Sequence, residues 1–193
     1  MNGGIDLTRV RGALGQAPAD ELLRPRRAAV AMLLAESTPG GPLSVLLLRR
    51  AEREGDPWSG HMALPGGHAH PEDTDLLHTA RRETLEEVGI DLEGAELLGL
   101  LDDVNVMRSA EMMVRPFVFW LGAERQAALS AEVAEVLWVP LDDLASDALR
   151  SIREVEVLGS TVRVPAYVIG ERVVWGMTFH VLERFLSKVL AFA

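Results

Sequence analysis

Short apolar runs separated by turn residues dominate the pattern of the chain. Residues Ala28–Ala35 and Leu43–Arg49 are two such runs, and the segment Thr38–Pro42 between them carries the proline and glycine residues of a turn. Runs of this length, bounded by turn residues, are typical of buried strands. Gly159 and Ser160 indicate a hairpin farther along the chain. Other strands are predicted at Ala95–Leu101, Val114–Leu121, Glu135–Pro140, Glu154–Leu158, Thr161–Val164, Tyr167–Ile169 and Val173–Trp175.

Helical periodicity is clearest at Thr74–Val88, which Asp73 or Thr74 can cap at its start and Gly89 can close at its end. Residues 51–67 carry several Gly and Pro residues and are predicted to be a loop. Further helices are predicted at Leu141–Leu149 and Met177–Phe192. Because strands and helices do not alternate strictly, the order favours an α+β fold with a mixed sheet over a doubly wound parallel sheet.

The length and charge of the chain restrict its organisation and its partners. The 193 residues suit one domain, residues 26–193, and residues 1–25 are predicted to be an extension of one or two short helices packed on the outside. The net charge of −10 argues against a nucleic acid polymer as partner, since such proteins need clustered Lys and Arg. The absence of cysteine excludes thiolate metal sites. No apolar run approaches the ~20 residues of a bilayer span, so we expect no membrane partner and a cytoplasmic location.

Three acidic residues share one face of the predicted helix at 74–88. At about 100° per residue, Glu83, Glu86 and Glu87 fall within an arc of roughly 100°. Like charges at this spacing destabilise a helix. A hard divalent cation relieves the repulsion, and carboxylate oxygens are ligands that Mg²⁺ and Mn²⁺ prefer. The glycines at 66 and 67 let the backbone approach such an ion, and a carbonyl there is a candidate ligand. The alternative is a solvated acidic helix whose preceding glycines serve only a turn.

At these residues the sequence resembles the Nudix hydrolase family, whose box reads G-x5-E-x7-R-E-U-x-E-E-x-G-U, with U aliphatic. Arg82–Ile90 matches the second half except that Thr84 replaces an aliphatic residue, and Gly67 matches the opening glycine. The box is one residue longer here, so that its first acid is Asp73 or Asp75. The resemblance implies an α/β/α sandwich around a mixed β-sheet, with Nudix-type topology, over residues 26–193.

The longer box resembles the coenzyme A diphosphatase branch, and Leu47–Ala51 and Gly60–Gly67 resemble the two ends of that branch's upstream signature. The resemblance implies metal-dependent hydrolysis of the pyrophosphate bond in a small nucleoside diphosphate derivative, with coenzyme A the first choice. ADP-ribose and dinucleotides are alternative substrates. Nucleotide binding without catalysis is an alternative function, although such modules usually carry a damaged box. The resemblance also favours a homodimer.

The resemblance assigns roles to the box residues. Glu83 and Glu87 are the expected primary ligands of Mg²⁺ or Mn²⁺, with Glu86 sharing that ion or binding a second one, and the Gly66 carbonyl as a further ligand. Arg82 is expected to orient the glutamates by bidentate hydrogen bonding. The general base is either a box glutamate or an acid of a later loop such as Glu111, whose alternative role is that of a solvated loop residue. The expected substrate-binding residues are Gly66, Gly67, Arg50 and Trp58. The alternative for Arg50 is an ordinary charged residue at the edge of the sheet, and the alternative for Trp58 is a ring that only packs at the edge.

Overall fold

The computed structural model describes residues 4–14, 27–56, 58–105, 112–157 and 159–192. Within these ranges the helices are α1 (Leu7–Ala13), α2 (Leu76–Val88), α3 (Leu141–Ala145) and α4 (Gly176–Ala191). The strands are β1 (Arg27–Glu36), β2 (Leu43–Arg50), β3 (Met62–Ala63), β4 (Gly66–His68), β5 (Glu96–Leu100), β6 (Val104–Asn105), β7 (Met113–Ala123), β8 (Val133–Pro140), β9 (Arg150–Val157), β10 (Ser160–Ile169) and β11 (Arg172–Trp175).

A mixed sheet forms the centre of the molecule. Its main path runs β3-β2-β1-β7-β5, with β4 paired to β1, β6 to β7 and β8 to β2. Strands β1 and β7 pair in parallel, whereas the other pairs are antiparallel. The predicted α+β class with a mixed sheet between helices is therefore confirmed.

Both faces of the sheet are covered, which explains why β1 and β2 are almost continuously apolar. Along β1, Ala29, Ala31 and Leu33 pack in the cluster that contains α2. The alternate residues Met32 and Leu34 pack in the cluster that contains α4. Each fully buried Leu side chain contributes about 1.5–3 kcal/mol to stability. Helix α2 is thus held against one face of the sheet and α4 against the other.

A separate antiparallel sheet, β11-β10-β9, precedes α4. Its first hairpin pairs Ser160 with Val157, where a hairpin is predicted. Strand β10 continues without interruption from Ser160 to Ile169, although two separate strands are predicted there, because it pairs with β9 along its first part and with β11 at its end. Tyr167 in this strand is fully buried, and its hydroxyl donates to Glu183 of α4, which joins the small sheet to the helix.

Helix α1 contributes to the apolar core, whereas the sequence predicts that the N-terminal helices pack on the outside. Val10 is fully buried and belongs to the same apolar cluster as α4. The Arg9 guanidinium donates to the carbonyls of Val189, Leu190 and Phe192 at 2.7–3.0 Å, and so caps the C-terminal end of α4. The remainder of the predicted N-terminal helical segment lies outside the described residues.

Two further differences concern the region before the candidate site. The predicted loop at 51–67 contains the short strand β3 and the start of β4. Strands of two or three residues are too short to show a pattern of alternating hydrophobic and polar positions. Helix α2 begins at Leu76 with Asp75 as its N-cap, not Asp73 or Thr74, because the carboxylate of Asp75 accepts from the backbone N–H of His78 at 2.6 Å. Across the described ranges, no helix has the length and apolar character of a transmembrane span.

Candidate active site

Strand β4 presents one edge to α2. Gly66 lies opposite Val30 and Gly67 opposite Ala29, and Ala31 donates its N–H to the carbonyl of Pro65. In an antiparallel ladder, alternate residues direct both of their backbone groups away from the partner strand. This register directs the N–H and carbonyl of Gly66 away from β1, toward the helix. The N–H of Gly66 accordingly donates to the Oε2 of Glu87 at 2.9 Å.

The Glu87 carboxylate is buried at this contact, with 7% of the residue exposed. Burial raises the pKa of Glu87 to about 7, and the nearby charge of Glu83 acts in the same direction. The hydrogen bond from Gly66 and the positive charge of Arg50 oppose the shift without cancelling it. Glu87 is therefore an incompletely compensated anionic group, which is a situation that favours a proton or a cation beside it.

Glu83 lies directly against the backbone of Gly67. A Cβ atom added to Gly67 would come within 2.5 Å of the Glu83 carboxylate, so only glycine leaves room for the carboxylate in this position. Gly66 is needed for a different reason. Its φ is +150°, and a Cβ there would come within 2.3 Å of the Ala29 carbonyl oxygen. The two glycines of β4 therefore let two carboxylates of α2 reach one edge of that strand.

Arg82 and Asp73 form a buried ion pair beside these carboxylates. The Nε and Nη2 atoms of Arg82 each donate to Asp73 at 3.0 Å, and the Asp73 side chain is completely buried. Burial alone would raise the pKa of Asp73, but hydrogen bonds from Arg82, His70 N–H and the Thr79 hydroxyl outweigh it and hold that pKa well below its usual range. Of the two acids that the sequence leaves open as the first acid of the box, Asp73 is the one that contacts Arg82.

The bidentate partner of Arg82 differs from the prediction. Arg82 makes its two-point contact with Asp73, whereas Nη1 makes single contacts with Glu83 at 2.9 Å and Glu86 at 3.0 Å. Nη2 also donates to the carbonyl of His68 at 3.1 Å. The buried Asp73 carboxylate has the greater need of a cation, since the Glu86 side chain is 58% exposed. Arg82 thus connects the loop before α2 to the glutamates of the helix.

The three box glutamates are in unequal environments. Glu83 and Glu87 lie against Gly66 and Gly67 of β4, whereas Glu86 extends into solvent beside Arg82. Within the part of the chain that the structure describes, no three His, Asp or Glu side chains converge on one point. The arrangement is therefore a pair of carboxylates beside a backbone edge, with the third carboxylate set apart.

The loop between β7 and β8 holds the C-terminal end of α2. The backbone N–H of Ser130 donates to the carbonyl of Glu87 at 3.0 Å, and that of Ala128 to Val88 at 2.9 Å. Gly89 closes the helix with φ of +66°, and a Cβ there would come within 2.7 Å of the Ala128 side chain. These contacts satisfy helix-end carbonyls and fix the position of the backbone that carries Glu87.

Arg50 and Trp58 lie at the end of β2. Arg50 donates to Asp56 at 2.7 Å, and its charge acts on Glu87. Trp58 is 37% exposed and lies edge-on to His61, with 5.7 Å between ring centroids. His61 also packs edge-on against Trp175 at 5.0 Å. The sequence offers no signal for this grouping, because Trp175 is distant in the chain and reads as a core residue. The other candidate, Glu111, lies outside the described residues.

Comparison with known proteins identifies the family. A NUDIX domain model matches residues 24–157. The human mitochondrial coenzyme A diphosphatase NUDT8 is 31% identical over 180 residues, which cover 91% of this chain and 75% of that protein. An uncharacterized protein of Schizosaccharomyces pombe is 41% identical over 141 residues, which cover 62% of this chain but only 43% of the relative's length. A MutT/nudix family protein from Enterococcus faecalis, 19% identical, has the same fold, with a TM-score of 0.54 over 90% of this chain and 65% of the other. The chain therefore belongs to the Nudix family of hydrolases.

Proposed function

We propose that this Nudix hydrolase cleaves the pyrophosphate bond of coenzyme A or a closely related nucleoside diphosphate derivative, in the presence of Mg²⁺ or Mn²⁺. The observation that carries the proposal is the pair Glu83 and Glu87 against Gly66 and Gly67 of β4. Two carboxylates of one helix approach a backbone edge there, and one of them is buried without full compensation of its charge.

The residues present suit a hard divalent cation. Burial raises the pKa of Glu87, and the neighbouring Glu83 charge adds to this shift, so a cation beside the carboxylate would stabilise its charged form. Glu83 and Glu87 would hold the cation, with the Gly66 carbonyl as an additional oxygen and Glu86 available to share it from its exposed position. A cation bound there would neutralise the charge of the diphosphate and would activate a water molecule.

The other residues of the site position this machinery. The Arg82–Asp73 ion pair fixes the loop before α2, and the single contacts of Arg82 restrain Glu83 and Glu86. Arg50, at the end of β2, supplies positive charge on the Glu87 side of the strand and would face a phosphate of the substrate. A box glutamate or Glu111 would act as the general base.

Coenzyme A is the first choice of substrate for two reasons. The stretches at 47–51 and 60–67 resemble the upstream signature of the coenzyme A diphosphatase branch. The human relative that covers 91% of this chain is named as a coenzyme A diphosphatase. We expect the enzyme to act in the cytoplasm, although that relative is named as mitochondrial.

The test is a substrate panel with purified protein. Coenzyme A, ADP-ribose, NADH and dinucleoside polyphosphates are each incubated with Mg²⁺, with Mn²⁺ and with EDTA, and products are separated by chromatography. We expect metal-dependent turnover with the highest kcat/KM for coenzyme A. A higher kcat/KM for another compound would refute the substrate assignment, and tight nucleotide binding without any turnover would indicate a binding module.

A second measurement tests the metal assignment. The variant Glu87→Gln should lose more than about a hundredfold in kcat, since even outer-shell partners of a metal typically contribute about 10- to 100-fold. The matched control is Glu93→Gln, the same change at an exposed position, which should keep full activity. Full activity of Glu87→Gln would show that this carboxylate is not a metal ligand.

A further inference from the structure

A cavity of about 590 Å³ lies between the end of the main sheet and the small sheet that precedes α4. Residues of β2, β3 and β8 line one side, and residues of β9 and β11 line the other. Its volume falls in the usual range for small-molecule sites. The cavity does not contain the carboxylates of α2, so it requires an explanation of its own.

The position of the cavity follows from the alternation of side chains along β2. Leu46 and Leu48 pack in the cluster of α2, whereas Val45 and Leu47 pack in the cluster of α4. In the same alternation, Arg49 lines the cavity and Arg50 lies on the Glu87 side. The cavity and the carboxylates therefore lie on opposite faces of β2.

The two sites meet where β2 ends. The N–H of Arg50 donates to the carbonyl of His61 at 3.0 Å, and His61 lines the cavity. Strand β8 has a bulge at this point, since Arg49 pairs with Glu135 but Arg50 with Val133, leaving Ala134 unpaired at the cavity wall. A ligand that occupies both sites therefore has to pass around this end of β2.

Among the described lining residues, three carboxylates stand against two guanidinium groups, which disfavours a phosphate as the occupant. Arg49 pairs with Glu135 at 3.1 Å, and Arg172 makes a two-point contact with the same carboxylate. Glu135 thus balances part of the positive charge of the two arginines, while Glu156 and Glu171 add negative charge. Burial lowers the pKa of His61, so that it adds no positive charge at neutral pH. The lining instead offers carboxylates, which accept hydrogen bonds from amide or hydroxyl groups.

The remainder of the lining is apolar. Trp175 and His61 form an aromatic corner, with Met62, Val155 and Val173 nearby. The two rings meet edge-on at 68°, so they do not form a parallel slot that would hold a base between them. An uncharged chain with methyl groups and amides matches this combination of apolar surface and hydrogen-bond acceptors.

We propose that this cavity binds the uncharged, flexible arm of the substrate, a diamide chain of the pantetheine type, while the nucleotide half stays on the α2 side of β2. The proposal rests on the proposed coenzyme A hydrolysis. It makes the cavity a determinant of specificity, because nucleotides without such an arm leave it empty.

The first experiment measures binding without turnover. Pantetheine and 3′,5′-ADP are titrated separately into the ¹⁵N-labelled full chain, and the indole N–H signal of Trp175 is followed by NMR, identified by its loss in Trp175→Phe. We expect this signal to move with pantetheine and to stay in place with 3′,5′-ADP. Movement with 3′,5′-ADP, or with neither fragment, overturns the proposal.

The second experiment fills the cavity. Ala134 is exposed at the cavity wall, and Ala134→Phe should raise the KM for coenzyme A by at least about tenfold while kcat and the KM for ADP-ribose change less than about twofold. Ala131→Phe, the same change in the neighbouring turn outside the lining, is the control and should alter none of these values. Equal increases in both KM values, or a KM for coenzyme A like that of the control, contradict the proposal. Absence of coenzyme A hydrolysis by the unaltered enzyme would refute the proposed substrate, whereas the NMR titration tests the cavity alone.

Discussion

Replacing Asp73 with Asn tests whether the buried ion pair organises the site. The carboxylate accepts hydrogen bonds from two Arg82 nitrogens, the His70 N–H and the Thr79 hydroxyl. An amide has one accepting atom in place of two. If the amide nitrogen takes the position of Oδ1, it faces the donor Nε of Arg82. If it takes the position of Oδ2, it faces three donors, which are Arg82 Nη2, the His70 N–H and the Thr79 hydroxyl. Asp73→Asn therefore loses the ionic interaction and at least one hydrogen bond in either orientation.

The expected destabilisation follows from the burial of the pair. The Asp73 side chain is fully buried and that of Arg82 is 14% exposed. Breaking a buried pair costs about 3–5 kcal/mol, and because Arg82 keeps its contacts with Glu83 and Glu86 we expect the lower end, about 3 kcal/mol. For a chain of this length, that corresponds to a decrease in Tm of about 6–12 °C. The kcat should fall as well, because Arg82 then restrains the glutamates less firmly.

The measurement is urea unfolding at several pH values, with Asp75→Asn as the matched control. Asn caps a helix as well as Asp does, so the control should lose less than about 0.5 kcal/mol. The depressed pKa of Asp73 contributes stability that is present above about pH 4 and is lost as the pH falls further. The difference between the wild type and Asp73→Asn should therefore narrow below about pH 4. Equal free energies of unfolding for Asp73→Asn and Asp75→Asn at pH 7 would refute this reasoning.

The remaining predictions concern Gly66 and Gly67 of β4 and helix α1. Gly67→Ala should lower kcat by about a hundredfold with little loss of stability, since its Cβ meets only the end of the Glu83 side chain and no backbone atom. Gly66→Ala should lose about 3 kcal/mol in a denaturant titration, because its Cβ meets backbone and its φ disfavours L side chains; equal stability of the two variants would contradict this. Arg9→Ala should lower the free energy of unfolding by about 1–2 kcal/mol through loss of the α4 cap. Its control Arg11→Ala, which removes an exposed ion pair, should lower the free energy of unfolding by less than Arg9→Ala does, and the reverse order by calorimetry would be inconsistent with capping.

The sequence predicts the elements of this fold where a pattern extends over several residues. Strand β1 is apolar over most of its length, and α2 has enough turns to place Glu83 and Glu87 on one side. The choice between Asp73 and Asp75 could not be made from the sequence, because both precede the helix and only the tertiary donors, chiefly Arg82, distinguish them. The sequence gives no indication of the contact between His61 and Trp175, which depends on how the small sheet packs against the end of β2.

The contact of Arg9 with the end of α4 has a consequence for the order in which the chain assembles. The carbonyl of Val189 lies 180 residues later in the sequence, so α1 is synthesised long before the helix it caps. Closing so long a loop is entropically costly and yields contacts only when both ends are in place. The central sheet can form from nearer segments, and docking of α1 is then a late event in folding. During synthesis, Val10 lacks the apolar side chains of α4 that it packs against until that helix has left the ribosome.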